Sequence, residues 1–175
     1  MLTDDVLTGD LRAADRQGIA EVAVRYATGI DRRDWALYRS CFTDPCELDF
    51  SSWSGRPGGP RPADAWVDDV RRTNGSFDAT QHLLGNLVVH FDPRDTDRAH
   101  YEIELQAQHF FSPATLAEHA WPADTVNWCL LGGHYTNRVV RTTAGWRIAR
   151  CQLTVRWRTG NDDIFRLARE IGSAR

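Results

Sequence analysis

The sequence predicts an α+β fold, in which N-terminal helices pack on one face of a strongly curved antiparallel sheet and enclose an apolar pocket. Helical spacing of apolar residues dominates the first part of the chain, whereas period-two alternation dominates the later part. The pair Gly132-Gly133 interrupts a predicted strand, which indicates a bulge or a sharp bend. A bent sheet closed by helices leaves a cone-shaped cavity, the usual form of a small-molecule site.

The helices are predicted from the spacing of apolar residues. Residues 1–14 lack strong periodicity and are predicted to be a flexible lead-in to a single domain over residues 15–175. Asp15 is a suitable cap for the first helix, and Asp31 lies just beyond the apolar stripe of that helix. The stripe consists of Ile19, Val22, Tyr26 and Ile30. Further helices are predicted over 34–42, 63–73 and 162–171.

The strands are predicted from alternation and from flanking turn residues. The clearest strand covers residues 100–111, where apolar and polar side chains alternate as in a half-buried antiparallel strand. Its predicted inward face carries Tyr101, Ile103, Leu105, Ala107, His109 and Phe111. Other strands are predicted over 46–53, 87–91, 126–141 and 146–157. Residues 54–62 and 112–125 contain the glycines and prolines typical of loops.

Composition excludes several classes of protein. The 175-residue chain is about one domain long, and its net charge of -3 gives no electrostatic reason to expect nucleic acid or a membrane surface as partner. No apolar run reaches the roughly 18–20 residues that span a bilayer, and the N-terminus is acidic and polar, unlike a secretory signal. We therefore expect a cytoplasmic protein. Its cysteines are expected to be small core residues: Cys41, Cys46, Cys129 and Cys151.

Three ionisable residues are candidates for chemistry: Asp31, His82 and His109. All three are predicted to face one apolar interior, where buried charge and unpaired polar groups are costly. If they converge, Asp31 accepts a hydrogen bond from one ring nitrogen of His82 and leaves the other nitrogen as a base. His109 would then be a second donor, which protonates a leaving hydroxyl or polarises a carbonyl.

Other interpretations of these residues stay open at this point. A lone histidine in apolar company is more often a hydrogen-bonded core residue, and Asp31 could simply start the turn into the second helix. Two histidines and one aspartate could also hold a non-haem iron, but neither His82 nor His109 belongs to the closely spaced HxD or HxE pair that such sites usually contain. No Gly-rich phosphate loop, Walker motif or GxSxG elbow occurs. We therefore expect neither a metal nor a cofactor.

Several motifs, taken in order, carry a family resemblance. They are YATGIDRRDW, PADAWVDDV, TQHLLGN with the inward His109, GWRIA and VRWRTGNDDIF. This order resembles scytalone dehydratase and, more widely, the SnoaL-like branch of the NTF2-like superfamily, with polyketide cyclases, ketosteroid isomerase and hexachlorocyclohexane dehydrochlorinase. GGHYTN followed by a hairpin and GWRIA is similar to the dehydrochlorinase version of that segment. The likeness runs from about Tyr26 to Phe165 and is specific for the branch, not for one reaction.

The resemblance implies an NTF2-like cone fold with Asp31 and His82 as a catalytic dyad, His109 as the second histidine, and the C-terminal segment as a lid. In scytalone dehydratase two tyrosines hold the water that activates the substrate carbonyl, and the matching positions here are Ile30 and Phe50, which have no hydroxyl. The dyad is retained and the two tyrosines are lost, so scytalone itself is not the expected substrate. The residues expected to contact substrate are Tyr26, Ile30, Phe50, Trp53, Tyr135, Trp157 and Phe165.

The expected function is that of a cofactor-independent lyase, whose dyad removes an acidic proton from a small hydroxy-ketone or polyketide-type substrate. The same dyad could catalyse an aldol-type cyclisation or a double-bond shift, because both begin with that proton removal. A different class is a non-catalytic ligand-binding protein or the small subunit of a ring-hydroxylating dioxygenase, which shares the cone fold; the retained dyad argues against it. Family members are often dimers or trimers, so we expect a homo-oligomer.

Overall fold

Helices and strands alternate along the chain around one sheet. The computed structural model describes the backbone of residues 4–174 and the side chains of residues 12–174. The helices in this part are α1 (Asp4–Asp31), α2 (Trp35–Arg39), α3 (Ser51–Ser54), α4 (Ala63–Asn74), α5 (Pro113–Glu118) and α6 (Ile164–Ala174). The strands are β1 (Phe42–Asp49), β2 (Gly59–Arg61), β3 (Ala79–Phe91), β4 (Arg98–Phe110), β5 (Trp128–Thr142) and β6 (Gly145–Gly160).

The strands form one curved sheet in the order β2-β1-β6-β5-β4-β3. Neighbouring strands are antiparallel except β1 and β6, which run parallel. The register shifts between Gly132 and Gly133 on β5 and between Gly85 and Val88 on β3. The first of these shifts confirms the irregularity predicted at the glycine pair, and such bulges bend and twist a sheet. The predicted α+β fold class is confirmed.

The main core lies between α1 and the inward face of the sheet. α1 packs against β3 and β6 and buries its predicted stripe, including Ile19 and Val22. The alternation predicted for β4 is confirmed, because its inward residues from Tyr101 to His109 are buried. All four cysteines are buried in thiol form, which fits their expected place in the core. Of the described helices, none combines the length and the apolar character needed to cross a membrane.

A second apolar cluster lies under α6. This helix packs against α4 and buries one strongly apolar face, as its amphipathic pattern predicts. The cluster consists of Phe77, Phe111, Leu116, Cys129, Ile164, Phe165, Leu167, Ala168 and Ile171. The C-terminal helix therefore covers the part of the sheet that the main core leaves open.

The first helix is longer than its apolar stripe. Of the predicted lead-in over 1–14, residues 1–3 lie outside the described part of the chain, and residues 4–14 are helical. Helix propagation adds one hydrogen bond per residue without requiring an apolar face, so a helix can extend beyond the stripe that nucleates it. The predicted helix start at Asp15 is therefore wrong, while the flexibility of the segment stays a prediction.

Two predicted strands have different bounds in the structure. The strand predicted over 87–91 begins earlier, at Ala79, so it also contains His82. The strand predicted over 46–53 instead ends at Asp49, and Trp53 lies on α3. Asp49 Oδ1 accepts hydrogen bonds from the backbone N–H of Ser51 at 3.1 Å and from its hydroxyl at 2.7 Å. Such a local bond competes with the ladder and turns the chain out of the strand.

Two predicted loops contain regular structure. In the segment 112–125, Ser112 Oγ accepts a hydrogen bond from the backbone N–H of Thr115 at 3.1 Å, and Pro113 occupies the first turn of α5. A proline that suggests a loop is also a favourable first residue of a helix. In the segment 54–62, β2 pairs with β1 and forms one edge of the sheet.

The close approach at Gly133 generates a stability prediction. A Cβ at Gly133 would overlap the backbone carbonyl of Thr154, whereas a Cβ at Gly85 would meet nothing within 4 Å. We expect Gly133→Ala to lower the free energy of unfolding by about 1–3 kcal/mol and Gly85→Ala to change it by less than about 0.5 kcal/mol. Urea unfolding followed by tryptophan fluorescence measures both. Equal stabilities of the two variants would contradict this account of the β5–β6 bulge.

Candidate active site

Asp31 and His82 meet where the C-terminus of α1 lies beside β3. The Nδ1 of His82 lies 2.7 Å from Asp31 Oδ1, and the backbone N–H of His82 donates to Asp31 Oδ2, also at 2.7 Å. The carboxylate therefore fixes both the backbone and the ring of His82, whose side chain is only 6% exposed. Because Nδ1–H is engaged by the carboxylate, Nε2 is the nitrogen with a free lone pair.

A polar clamp joins α1 to β3 around this pair. Thr80 Oγ1 donates to Asp31 Oδ1 at 3.0 Å, and Arg33 donates to Thr80 Oγ1 at 2.9 Å. The Arg33 guanidinium also donates to the backbone carbonyl of Phe77 at 2.9 Å. Arg33 has a φ of 60°, in the left-handed region that is uncommon for a non-glycine residue. A residue in this conformation ends a helix, and here it allows the guanidinium to reach β3.

Asp31 is ionised although its position disfavours a negative charge. A helix C-terminus disfavours a carboxylate through the macrodipole, and partial burial raises the pKa of Asp31. The hydrogen bonds and charge of His82, together with the Thr80 hydroxyl, outweigh this burial, so the pKa of Asp31 lies below its ordinary value of 3.8. Asp31 therefore stays ionised and can stabilise an imidazolium on His82.

His109 lies beside His82 on the inward face of β4. The two rings are nearly perpendicular, with a centroid distance of 5.5 Å. His109 Nε2 lies 3.0 Å from Asn74 Oδ1, and Nδ1 has no hydrogen-bond partner among the described residues. Burial, together with the charges of His82 and Arg33, lowers the pKa of His109 well below 6.5. A neutral His109 directs its proton at Asn74 and keeps Nδ1 as an acceptor, so the geometry does not favour the donor role expected from the sequence.

An apolar cavity of about 390 Å³ lies beside the two histidines, within the range of small-molecule sites. His82 and His109 line this cavity, and Asp31 lies behind His82. Most of the residues expected to contact substrate also line it: Tyr26, Ile30, Phe50, Trp53, Tyr135 and Phe165. The strands add an apolar wall of Leu48, Leu105, Ala107, Leu131 and Leu153. The structure therefore brings the predicted site residues together, with one exception.

The exception is Trp157, which lies outside the cavity. Its side chain is 43% exposed and packs across Gly132 of the neighbouring strand. Val155 lies opposite Gly133 and Trp157 opposite Gly132, so Arg156 is the extra residue of the bulge. A bulge changes the direction of the side chains that follow it. The predicted contact between Trp157 and substrate is therefore corrected.

Tyr26 and Tyr135 place two hydroxyl groups at the end of the cavity remote from His82. Their oxygens are 3.2 Å apart, and both side chains are buried. His82 lies opposite Ala107 in the β3–β4 ladder, whereas Tyr135 lies opposite Ile103 in the β4–β5 ladder. Burial raises the pKa of both tyrosines, so each hydroxyl keeps its proton.

Sequence reasoning missed the residues that support this site. Arg33 and Thr80 lie within the quoted motifs, but their types and spacing are those of ordinary surface residues. Asn74 ends α4, and its contact with His109 depends on how that helix meets β4. Trp66 Nε1 donates to the Tyr38 hydroxyl at 3.0 Å, a contact between two helices. Only the polar character of Asn74 at the end of a predicted helix could have suggested one of these roles.

The arrangement is suited to acid–base chemistry in an apolar medium. His82 supplies a nitrogen lone pair at the wall, Asp31 fixes its tautomer, and the tyrosines supply O–H donors at the far end. Within residues 12–174, no group of three His, Cys, Asp or Glu side chains is placed to hold a metal ion. The geometry around His82 Nε2 is that of a side chain placed for proton transfer.

The fold and the site together define a class of small α+β cone proteins with an Asp–His pair at the wall of an apolar cavity. The model of the SnoaL-like domain matches residues 11–152. This chain belongs to the SnoaL-like domain family, and the predicted resemblance to that branch is confirmed.

Individual proteins extend this comparison. The crystal structure of the Kfla4162 protein from Kribbella flavida is 31% identical, with a TM-score of 0.76 over 90% of this chain and 99% of that chain. The protein Mb2934c of Mycobacterium bovis is 28% identical over 137 residues, which are 78% of this chain and 82% of that protein. The hexachlorocyclohexane dehydrochlorinase LinA-type3 from Novosphingobium barchaimii is 16% identical, with a TM-score of 0.66 over 87% of this chain and 94% of that chain. This last similarity concerns the fold alone.

The neutral state of His109 predicts how the stability of the protein depends on pH. Because its folded-state pKa lies below the ordinary 6.5, the unfolded chain binds a proton there that the folded chain does not, and stability falls as the pH drops below 6.5. We expect His109→Phe to lose less stability than the wild type between pH 7 and pH 5. Urea unfolding at each pH measures the difference. The exposed His119 is the matched control, since His119→Phe should follow the wild type; equal losses in all three proteins would contradict the prediction.

Proposed function

We propose that this protein is a cofactor-independent lyase that removes water from a small cyclic β-hydroxy ketone. The observation that carries the proposal is the 2.7 Å contact between His82 Nδ1 and Asp31 Oδ1 beside the apolar cavity. It leaves His82 Nε2 free to act as a general base, with an ionised carboxylate behind it. A purely ligand-binding protein has no need of this buried acid–base pair, which favours catalysis over binding.

The proposed reaction balances with His82 as the only proton carrier. His82 Nε2 removes a proton from the carbon next to the ketone, and the electron pair moves to the carbonyl oxygen as an enolate. When the ketone re-forms, a carbon–carbon double bond develops and the bond to the β-hydroxyl breaks. The departing hydroxyl takes the proton from His82 Nε2–H and leaves as water, so His82 returns to its neutral form. Asp31 stabilises the imidazolium in between.

His109 has a supporting part in this proposal. It stays neutral, packs edge-on against His82, and is covered by the Phe165 ring at a centroid distance of 4.6 Å. A neutral and aromatic wall keeps the dielectric constant low around the reacting atoms, which strengthens the Asp31–imidazolium interaction. The proton of the leaving group therefore comes from His82 and not from His109.

Cyclisation and double-bond isomerisation begin with the same proton removal and remain alternatives within this proposal. The name of one structural neighbour, hexachlorocyclohexane dehydrochlorinase, denotes the loss of a small leaving group from a six-membered ring. This favours elimination as the reaction to assay first.

The proposed base can be tested with two simple ring ketones. With 1-tetralone in D₂O, NMR reports exchange of the protons next to the ketone; with 3-hydroxy-1-tetralone, dehydration gives fluorescent 1-naphthol. We expect the wild type to accelerate both reactions, and His82→Ala and Asp31→Asn to lower the rates by roughly 10²–10⁴-fold, the usual worth of a general base. Exchange without dehydration would favour the isomerase or cyclase alternative.

His100 provides the matched control for this experiment. It lies on the outward face of β4 and is exposed, so His100→Ala should retain the wild-type rates. Circular dichroism checks that each variant is folded. Unchanged turnover by a folded His82→Ala variant, or no acceleration of either reaction by the wild type, would refute the proposed mechanism.

The absence of hydroxyls at Ile30 and Phe50 generates a second test. Both residues line the cavity, and the Phe50 ring packs against Trp66 at 4.8 Å. If these missing hydroxyls weaken the activation of a tetralone carbonyl, the double variant Ile30→Tyr/Phe50→Tyr should dehydrate scytalone faster than the wild type. The control Ile30→Phe adds a ring of similar size without a hydroxyl. An equal gain in that control would show that size, and not the hydroxyl, causes the difference.

A further inference from the structure

Three arginines and one aspartate line the mouth of the cavity. Arg56 lies in the loop after α3, Arg61 ends β2, Asp69 lies on α4, and Arg169 lies on α6. Arg56 and Arg169 are exposed, and Arg61 and Asp69 are half-buried, so this set lies where the cavity opens to solvent. Three guanidinium groups against one carboxylate leave a surplus of positive charge, whereas the whole chain has a net charge of -3. The mouth therefore attracts anions although the protein as a whole is negative.

Asp69 already has two arginine partners. Arg61 donates to Asp69 Oδ2 at 2.7 Å, and Arg72, one turn later on α4, donates to Oδ1 of the same carboxylate. The Arg61 guanidinium also lies over the Trp66 ring, 5.9 Å from its centroid. The single carboxylate at the mouth thus neutralises Arg61 and Arg72, and the surplus charge belongs to the other two arginines.

Arg56 and Arg169 differ from their neighbours in this respect. The other arginine of α6, Arg166, pairs with Glu170 at 2.9 Å. Over residues 12–174, neither Arg56 nor Arg169 forms an ion pair with a carboxylate. An exposed guanidinium is hydrated and needs no partner, so this alone does not indicate a ligand. What points to a ligand is that both of these arginines line the cavity.

The two arginines come from elements that meet over the cavity. The ring of Phe165 on α6 lies 4.6 Å from the ring of Trp53 on α3. Arg56 lies in the loop that follows α3, and Arg169 lies one turn after Phe165, about 6 Å along the helix. A guanidinium binds a carboxylate or phosphate through two parallel hydrogen bonds. Because arginine side chains are long, two of them on adjoining elements can reach the same oxyanion.

The exposure of the site sets where a ligand carries its charge. The His82 side chain is only 6% exposed and lies beside an apolar wall, whereas Arg56 and Arg169 are exposed. An anionic group beside His82 would lose its hydration at a high cost. At the mouth it keeps part of that hydration and gains two positive partners. The cavity thus fits a ligand with an apolar body, a reacting carbon at the closed wall and an anionic group at the mouth.

We propose that Arg56 and Arg169 form an anion-binding subsite, and that the substrate carries a carboxylate or a phosphate at this end. The inference rests on the proposed function for the reacting end and deepens it, because the substrate is then an acid as well as a hydroxy ketone. The subsite is defined by binding and can be tested without turnover.

The first test compares 2-naphthoate with 2-naphthamide, which have the same size and shape but differ in charge. Isothermal titration calorimetry measures both affinities. We expect the wild type to bind 2-naphthoate about 3–20-fold more tightly, because one exposed ion pair contributes up to roughly fivefold and two are available. High salt should reduce this preference, since it screens exposed charges. Equal binding, tighter binding of the amide, binding of neither ligand, or a preference that salt leaves unchanged would overturn the proposal.

Variants locate the preference. Arg56→Gln and Arg169→Gln should each reduce it, and the double variant should abolish it, while the affinity for 2-naphthamide and the circular dichroism spectrum show that the fold is intact. Arg94→Gln is the matched control, because it removes the same charge from an exposed residue between β3 and β4, outside the cavity lining. A preference that persists in the double variant, or that Arg94→Gln lowers equally, would refute the subsite.

A third ligand, 2-naphthyl phosphate, identifies the anion. Tighter binding of this ligand than of 2-naphthoate would assign a phosphate to the substrate, and weaker binding would assign a carboxylate. Either result supports the subsite if the affinity falls in the Arg56→Gln/Arg169→Gln variant. An affinity for both anions that this variant leaves unchanged would overturn it.

His82→Ala separates this inference from the proposed function. This variant should lose the exchange of the protons next to the ketone and keep the preference for 2-naphthoate. A preference without any exchange by the wild type would support the subsite and refute the lyase. Exchange that depends on His82 without a preference would support the lyase and refute the subsite.

Discussion

The architecture of the site depends on one carboxylate in an unfavourable place. Asp31 ends a long helix, where the macrodipole opposes a negative charge, and it is ionised because β3 supplies donors from His82 and Thr80. The same bonds attach the end of α1 to the sheet. Docking of the helix and orientation of the base are therefore a single interaction, and loss of the carboxylate would leave buried donors without an acceptor.

This interaction also fixes the length of the cavity. One rigid helix carries Tyr26 at the inner end of the cavity and Asp31 behind its base, and one strand, β4, carries the facing residues of both ends. Distances between side chains on helices and strands are held more accurately than distances between loops. The left-handed backbone of Arg33 costs some free energy, and its guanidinium offsets this cost by joining the turn after α1 to Thr80 and to the backbone of Phe77.

Local patterns predicted much of the fold and the orientation of many residues, but not their partners. Period-two alternation placed His109 inward, and helical spacing placed Tyr26 and Ile30 in the core. The meeting of Asp31 with His82, 51 residues later, came from the family resemblance and not from spacing. Trp157 was misplaced because one extra residue in a bulge reverses a side chain. The contacts of Asn74 with His109 and of Trp66 with Tyr38 depend on how separate elements pack, which no local pattern encodes.

The side chains that line the cavity differ in polarity from one position to the next. Positions 30 and 50 carry Ile and Phe, so neither adds a hydroxyl to the cavity, whereas Tyr26 and Tyr135 each do. A base that must take a proton from carbon works best where water is excluded, because solvation of the imidazolium and its carboxylate by water would weaken their interaction. In the proposed reaction, the apolar wall therefore excludes water, and the ionised Asp31 holds the charge of His82.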